Sequence, residues 1–205
     1  MSLSDVDLSR AVSHALRHEP WLYELELDAE GWAPVEQLLT ALREKGGDWE
    51  AVDRAALERM IATAAKRRHE FDGDRIRALY GHSVPGRIHY RQAPPPARLF
   101  HGTAPETWVE IQAHGLLPMG RQFVHLSVDR ETATSVGRRK SADPTILTID
   151  TLAAASAGTT FYEGNELVWL ADCIPARFIG DGGRAPCGGV SRAQRRDGVP
   201  GPAAD

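Results

Sequence analysis

Arg17 and His18 stand side by side in the run Leu16-Arg17-His18, just before Pro20. A guanidinium offers a fixed fork to two phosphate oxygens, and an imidazole moves a proton near neutral pH. Held on one rigid element, the pair suits chemistry at a phosphate ester, although a helix C-terminus also favours such cations through its dipole alone. A second group follows at Lys66-Arg67-Arg68-His69, with Arg75-Ile76-Arg77 and Gly81-His82-Ser83 close behind. An isolated charge run is usually a solvated face. Here the cations run on into a small turn rich in backbone and hydroxyl donors, the kind of set that grips a nucleic-acid backbone. Lys66, Arg75, Arg77, His82 and Ser83 are therefore candidate nucleic-acid contacts. Further on, His101-Gly102-Thr103 and His125-Leu126-Ser127 put polar groups at two strand ends. The glycine would let a ligand approach the backbone. Val136-Gly137-Arg138-Arg139-Lys140 adds a last basic knot. Neither a Walker loop nor a G-x-G-x-x-G run occurs, so the ordinary phosphate-loop and dehydrogenase readings fail.

Elements must hold these groups in place. Leu8, Ala11/Val12 and Ala15/Leu16 recur at helical spacing, with Ser4 or Asp5 as cap and Pro20 as stop, so Arg17 and His18 ride on a helix end. Val35, Leu38, Leu39 and Leu42 make a second helical face, opened by Pro34 and closed by Gly46-Gly47. Leu57, Met60, Ile61 and Ala64/Ala65 make a third, starting near Asp53. Arg68–Phe71 and Arg75–Leu79 then flank Asp72-Gly73-Asp74, a hairpin signal that turns Arg75 and Arg77 to one face and Ile76 to the other. Three short helices followed by a basic hairpin outline a winged helix. Ala93-Pro94-Pro95-Pro96-Ala97 reads as a stiff linker. Beyond it, strands are expected at Arg98–His101, Phe123–Ser127, Thr145–Ile149 and Leu167–Leu170, with helices near Glu106–Ala113 and Asp129–Val136. The fold class is α+β. The boundaries are residues 1–92 for the first lobe, 93–97 for the linker, 98–180 for a mixed α/β second lobe and 181–205 for a disordered tail. In that tail, Gly and Pro are frequent and aromatic residues are absent.

The bulk composition excludes several classes. The 205 residues carry 24 Lys+Arg against 28 Asp+Glu, a net charge of -4, so this is not a uniformly basic nucleic-acid binder. Residues 66–91 nevertheless hold seven basic side chains against three acidic ones, a local positive strip in an acidic protein. No apolar run is long enough to span a membrane, and Met1 to Arg10, with no basic start before an apolar core, lead to the expectation of no secretory leader. Cys173 and Cys187 do not stand with histidines at zinc spacing, so free thiols, a cytoplasmic location and no metal are expected.

In this order the pieces resemble the RNA 2'-phosphotransferase family, the NAD-consuming enzymes that remove a splice-junction 2'-phosphate in tRNA processing. The resemblance rests on Leu16-Arg17-His18-Glu19-Pro20, Gly31-Trp32, Lys66–Arg68, Arg75-Ile76-Arg77-Ala78 and Gly81-His82-Ser83. It continues through His101-Gly102-Thr103, His125-Leu126-Ser127, Val136-Gly137-Arg138-Arg139, and Val168-Trp169-Leu170 with Ile174-Pro175, covering roughly residues 8–180. It implies an N-terminal winged-helix RNA-binding lobe and a C-terminal ADP-ribosyltransferase-like, NAD-binding lobe. The family's Arg-His-Arg-Arg catalytic set falls on Arg17, His18, Arg68 and Arg139. Three departures stand out. His69 replaces an aromatic, Arg139-Lys140-Ser141 replaces R-H-G, and Asn165 to Leu170 is one residue longer than the family's N-x-V-W-L.

The reaction so implied has two steps. The RNA 2'-phosphate displaces nicotinamide from NAD to give an ADP-ribosylated phosphate. Transesterification then releases RNA with a 2'-hydroxyl and ADP-ribose 1'',2''-cyclic phosphate. Arg17 and Arg68 would grip the phosphate, Arg139 would steady it in the second step, and His18 would protonate the departing ribose oxygen. His101, Gly102, Thr103, His125 and Ser127, with Arg139, would line the NAD slot, without a metal. Lys66, Arg75, Arg77, His82 and Ser83 would contact RNA, and the protein would act as a monomer. Two other readings are an NAD-dependent ADP-ribosyltransferase acting on phosphorylated nucleic-acid ends or on protein, and a non-catalytic winged-helix nucleic-acid binder.

Overall fold

A computed structural model describes residues 3–181, so the tail expected from residue 181 lies outside the described residues apart from Asp181 itself. The fold is mixed α/β, with two antiparallel sheets and six helices among these residues.

The first half is built on α1 (Asp5–Arg17), α2 (Val35–Arg43) and α3 (Arg54–Ala62). Helix α1 starts where the Ser4 hydroxyl accepts the Asp7 amide at 3.2 Å, satisfying one of the free donors of the first turn. It ends at Arg17, and Pro20 opens a short 3-10 turn over Pro20–Tyr23. Helix α3 is capped in the same way by Asp53, whose carboxylate accepts from the Ala56 amide at 2.8 Å. Leu8, Val12 and Leu16 of α1 are buried with Leu38, Leu39 and Leu42 of α2 and Leu57 and Met60 of α3. Each such side chain contributes about 1.5–3 kcal/mol by leaving water.

Beside this core lies a three-stranded sheet, ordered β1-β3-β2, from β1 (Trp32–Pro34), β2 (His69–Asp72) and β3 (Arg75–Ala78). The expected hairpin is present, with His69 opposite Ala78 and Ile76 fully buried between exposed Arg75 and half-buried Arg77. Strand β1 was not expected. Three residues ending in proline show no alternation, and its place is fixed by pairing of Trp32 with Arg77 and by both guanidiniums over the Trp32 ring, at 5.1 and 4.4 Å.

A six-stranded sheet, ordered β7-β8-β5-β4-β6-β9, makes the second half. Its central strands are β4 (Arg98–Thr103), β5 (Val124–Ser127), β6 (Thr145–Asp150) and β8 (Val168–Ala171), within a residue or two of the expected runs. The edge strands β7 (Phe161–Asn165) and β9 (Ile179–Asp181) were not expected, nor was α6 (Thr151–Ser156). Helices α4 (Trp108–His114) and α5 (Arg130–Gly137) take the places foreseen for them. Leu99, Leu126, Leu147, Ile149 and Phe161 form a second core.

The two halves touch through the segment 79–92. The Ser83 amide donates to the Arg17 carbonyl at 2.8 Å, tying the segment to α1. Gln122 then bolts it to the second half, donating to the carbonyls of Val84 and Gly86 and accepting the Ile88 amide at 2.9 Å. Arg87 pairs with Asp172, and Arg91 with Glu163. No helix among the described residues is long and apolar enough to cross a membrane.

Candidate functional site

Where the halves meet, cations gather. The Arg17 guanidinium leaves the end of α1, donates from Nη2 to the Arg68 carbonyl at 3.2 Å, and lies 5.3 Å from the centre of the Tyr80 ring. Its Nε is buried without a partner. Gly81 turns the chain alongside it. Its φ is +93°, a backbone region that side chains avoid, and a Cβ there would stand 3.6 Å from the Arg17 head group. Burial above all, with Arg68 and Arg121 adding to it and Tyr80 and Tyr90 opposing, lowers the Arg17 pKa to about 10.

His18 caps α1, its amide bonded to the His14 carbonyl at 3.1 Å. Its Nδ1 meets the Ser83 hydroxyl at 2.9 Å, which leaves Nε2 for a substrate. Desolvation, then Arg17, His14 and Arg121, push its pKa below the usual imidazole value. Lys66 is lowered first by desolvation and then by Arg139 and Arg68, with Asp129 opposing. Arg121 is exposed over part of its length, yet desolvation and then Arg139 lower it as well. Lys66 of the first half is thereby within electrostatic reach of Arg139 of the second, and Arg17 within reach of Arg68 and Arg121.

Charge pairing separates structural cations from available ones. Of the seven basic residues in 66–91, five face a carboxylate: Arg67 and Arg77 face Glu70, Arg75 faces Asp72 and Asp28, Arg87 faces Asp172 and Arg91 faces Glu163. Among the described residues, Lys66 and Arg68 have no carboxylate within ion-pair distance, although Asp129 acts on Lys66 from farther away. Among the described residues, no ion pair engages Arg17, Arg121 or Arg139 either. Such a group of unneutralised cations is a site for an anion of high charge.

The other expected contacts divide. Arg75 and Arg77 are held on the Trp32 face by their carboxylates, and Arg77 also donates to the Glu30 carbonyl at 3.4 Å. His82 is 2% exposed; its Nδ1 meets the Tyr90 hydroxyl at 2.8 Å, and burial, followed by Arg17, takes its pKa to about 3. It braces the loop from within. Ser83 holds His18, as described. His69, the replacement for an aromatic, is buried and bonds Ser13 of α1 through Nε2 at 3.0 Å, so it packs where an aromatic would and adds a polar tie.

In the six-stranded sheet, β4 and β5 are neighbours, with Phe100 opposite Ser127. His101 donates from Nδ1 to the His125 carbonyl at 2.9 Å, which makes its Nε2 the acceptor nitrogen. The Thr103 hydroxyl and His125 Nε2 are buried without partners. Burial, then Arg121, lowers the His125 pKa to about 3, and its ring meets Tyr80 edge-on at 6.0 Å. At Gly102 the missing side chain makes room for a helix. A Cβ there would overlap the Ala133 carbonyl oxygen and stand 3.0 Å from the Gly137 Cα, both in α5.

Arg121 is the member that sequence reasoning missed. It stands alone between Gly120 and Gln122, so no charge run flags it, and only its closeness to Arg17, His18 and Arg139 reveals it. Among the described residues, no group of three or more His, Cys, Asp or Glu is placed to hold a metal ion.

Residues 3–173 match the family described as "RNA 2'-phosphotransferase, Tpt1 / KptA family". A protein of Acetivibrio thermocellus named "Probable RNA 2'-phosphotransferase" is 50% identical over 172 residues, covering 84% of this chain and 94% of the relative. One of the same name from Bacillus thuringiensis subsp. konkukian is 51% identical over 173 residues, covering 84% and 93%. Another from Streptomyces griseus subsp. griseus is 43% identical over 183 residues, covering 85% and 95%.

Proposed function

Because the chain belongs to the RNA 2'-phosphotransferase family, we propose that it removes an internal 2'-phosphate from RNA by transferring it to NAD. Residues 1–92 act as a winged-helix RNA-binding lobe and 98–180 as an ADP-ribosyltransferase-like lobe, joined by the linker at 93–97. The observation that carries the reading is the convergence of Arg17, Lys66, Arg68, Arg121 and Arg139 without carboxylate partners, beside an imidazole anchored by Ser83.

NAD fits the second lobe on the chemistry of its orphaned groups. The Thr103 hydroxyl, His125 Nε2 and the acceptor nitrogen of His101 offer unused hydrogen-bonding capacity to an amide and to ribose hydroxyls. When bound, NAD supplies an electrophilic ribose carbon with nicotinamide as its leaving group. The protein's part is to bring two anions together. Arg17 and Arg68 hold the 2'-phosphate, and Arg121 and Arg139 offset its repulsion from the pyrophosphate. Dianion charge beside His18 works against the lowering by desolvation and Arg17, so His18 gains its proton as the phosphate settles. From Nε2 it then protonates the departing ribose oxygen, a contribution of about 10²–10⁴-fold.

The test is a short RNA with one internal 2'-phosphate, incubated with NAD and followed by RNA mobility and nicotinamide release. A stable ADP-ribosyl adduct on the RNA would favour a capping ADP-ribosyltransferase instead. Arg68→Lys removes the bidentate fork and is expected to lower turnover by at least about 100-fold. Wild-type turnover in that variant would remove Arg68 from the gripping role.

A further inference from the structure

One buried polar side chain has no part in the chemistry above. Asn165 is 9% exposed and closes β7, at the Glu166-Leu167 turn that leads into β8. The Leu167 amide donates to its Oδ1 at 2.9 Å, the local bond asparagine makes two residues ahead, and this fixes which end of the side-chain amide faces outward. Its Nδ2 then donates to the Arg67 carbonyl at 2.7 Å, 98 positions away in the chain. The very next carbonyl, that of Arg68, accepts from Arg17 at 3.2 Å and from the Leu79 amide at 2.9 Å. Two consecutive peptide groups are therefore held from two sides, by α1 and by the β7–β8 turn.

Position matters here because residues 63–68 belong to no helix or strand. Lys66 and Arg68 hang from an irregular segment among like charges, and the repulsion that lowers Lys66 also pushes that segment away from Arg139. A neutral donor restrains it without spending any of the positive charge. The pairing of β7 with β8 shifts register between Glu163 and Asn165, so a bulge re-aims the end of the strand. Gly164 sits in this bulge, where a Cβ would come 2.9 Å from the Val168 carbonyl oxygen. The residue that lengthens the Asn165–Leu170 stretch thus belongs to the turn through which the second half reaches the first.

We propose that Asn165 is a positioning residue for the phosphate pocket: its amide fixes the Lys66–Arg68 segment against the six-stranded sheet, and so sets where Lys66 and Arg68 stand relative to the second half. This rests on the RNA 2'-phosphotransferase reading. Asn165→Asp is the informative change, since it keeps the Leu167 bond and the shape but turns an acceptor toward the Arg67 carbonyl.

The experiment uses the full chain. It measures affinity for a 2'-phosphorylated oligoribonucleotide by fluorescence anisotropy, kcat/KM on that RNA, and NAD affinity by tryptophan quenching. Asn165→Asp is expected to lower RNA affinity and kcat/KM by about 10- to 100-fold at pH 8, the cost of a buried acceptor left unpaired, with NAD affinity within about twofold of wild type. Relative to wild type, the aspartate variant recovers between pH 8 and pH 6, because a protonated carboxyl donates again; Asn165→Ala does not recover. Equal loss of NAD and RNA affinity, or wild-type RNA affinity in both variants, would overturn the positioning role. Failure of the wild type to turn over the RNA would instead defeat the reaction reading, while the anisotropy comparison still decides the role of Asn165.

Discussion

Arg17 carries its charge at a cost to the folded protein, and that cost is measurable. Burial first, with Arg68 and Arg121 adding to it, takes the guanidinium between two and three pKa units below its ordinary value, to about 10. At about 1.4 kcal/mol per pKa unit, the unliganded fold bears about 3 kcal/mol for keeping Arg17 charged. Replacing it with Gln removes that penalty. The same change removes the bond to the Arg68 carbonyl, worth about 1–2 kcal/mol, and the contact over Tyr80, worth about another 1 kcal/mol. The terms nearly cancel, so Arg17→Gln is expected to unfold in urea within about 1 kcal/mol of wild type. Loss of one partner from a buried ion pair would instead cost about 3–5 kcal/mol. Added inorganic phosphate separates the cases further. It should stabilise wild type by about 2.7 kcal/mol at one hundred times its dissociation constant, and the variant far less. A variant that loses more than about 3 kcal/mol without phosphate, or responds to phosphate as wild type does, would show that Arg17 is a structural cation and not one poised for an anion.

Other expectations follow from the same geometry. His69, His82 and His125 are each taken from 6.5 to about 3, in every case chiefly by burial. The unfolded chain therefore binds more protons than the native one between these values. Stability is full above pH 6.5 and falls as pH drops toward 3, at about 4 kcal/mol per pH unit for the three together. Since net stabilities are about 5–15 kcal/mol, near-UV circular dichroism should collapse between about pH 5.5 and 3; an intact signal at pH 2.5 would contradict the neutral buried state. Gly102→Ala should lose at least about 2 kcal/mol in urea unfolding because of its overlap with α5. Normal stability with selectively weaker NAD binding would show that the glycine serves the ligand and not the packing against α5.

The sequence was most legible where local rules and tertiary demands agree. Helices α1 to α3 follow from Leu8, Val12 and Leu16, from the matching faces of the next two segments, and from caps at Ser4 and Asp53. Strands β4, β5, β6 and β8 are central and show themselves as apolar runs. The edges did not: β1 ends in a proline, β7 contains Gly164 and a bulge, and β9 has three residues, so their pairing depends on neighbours distant in the chain. The site divides in the same way. Arg17, His18 and Arg68 could be picked out as types in a pattern, yet composition could not say which cations of the basic strip are free. Carboxylates far away in sequence, such as Asp172 and Glu163, decide that for Arg87 and Arg91. Arg121 has no local signature at all, and Ser83 was assigned to RNA because its link to His18 spans 65 positions.

On the proposed reading, unpaired arginines bring a 2'-phosphate and NAD together without a metal. The stoichiometry of the reaction in the presence of a strong chelator, with an RNA labelled in its single 2'-phosphate, tests this. The expected result is one nicotinamide released for each labelled phosphate lost, and no loss when NAD is withheld. Release of the label as inorganic phosphate without NAD, or activity abolished by the chelator, would contradict it.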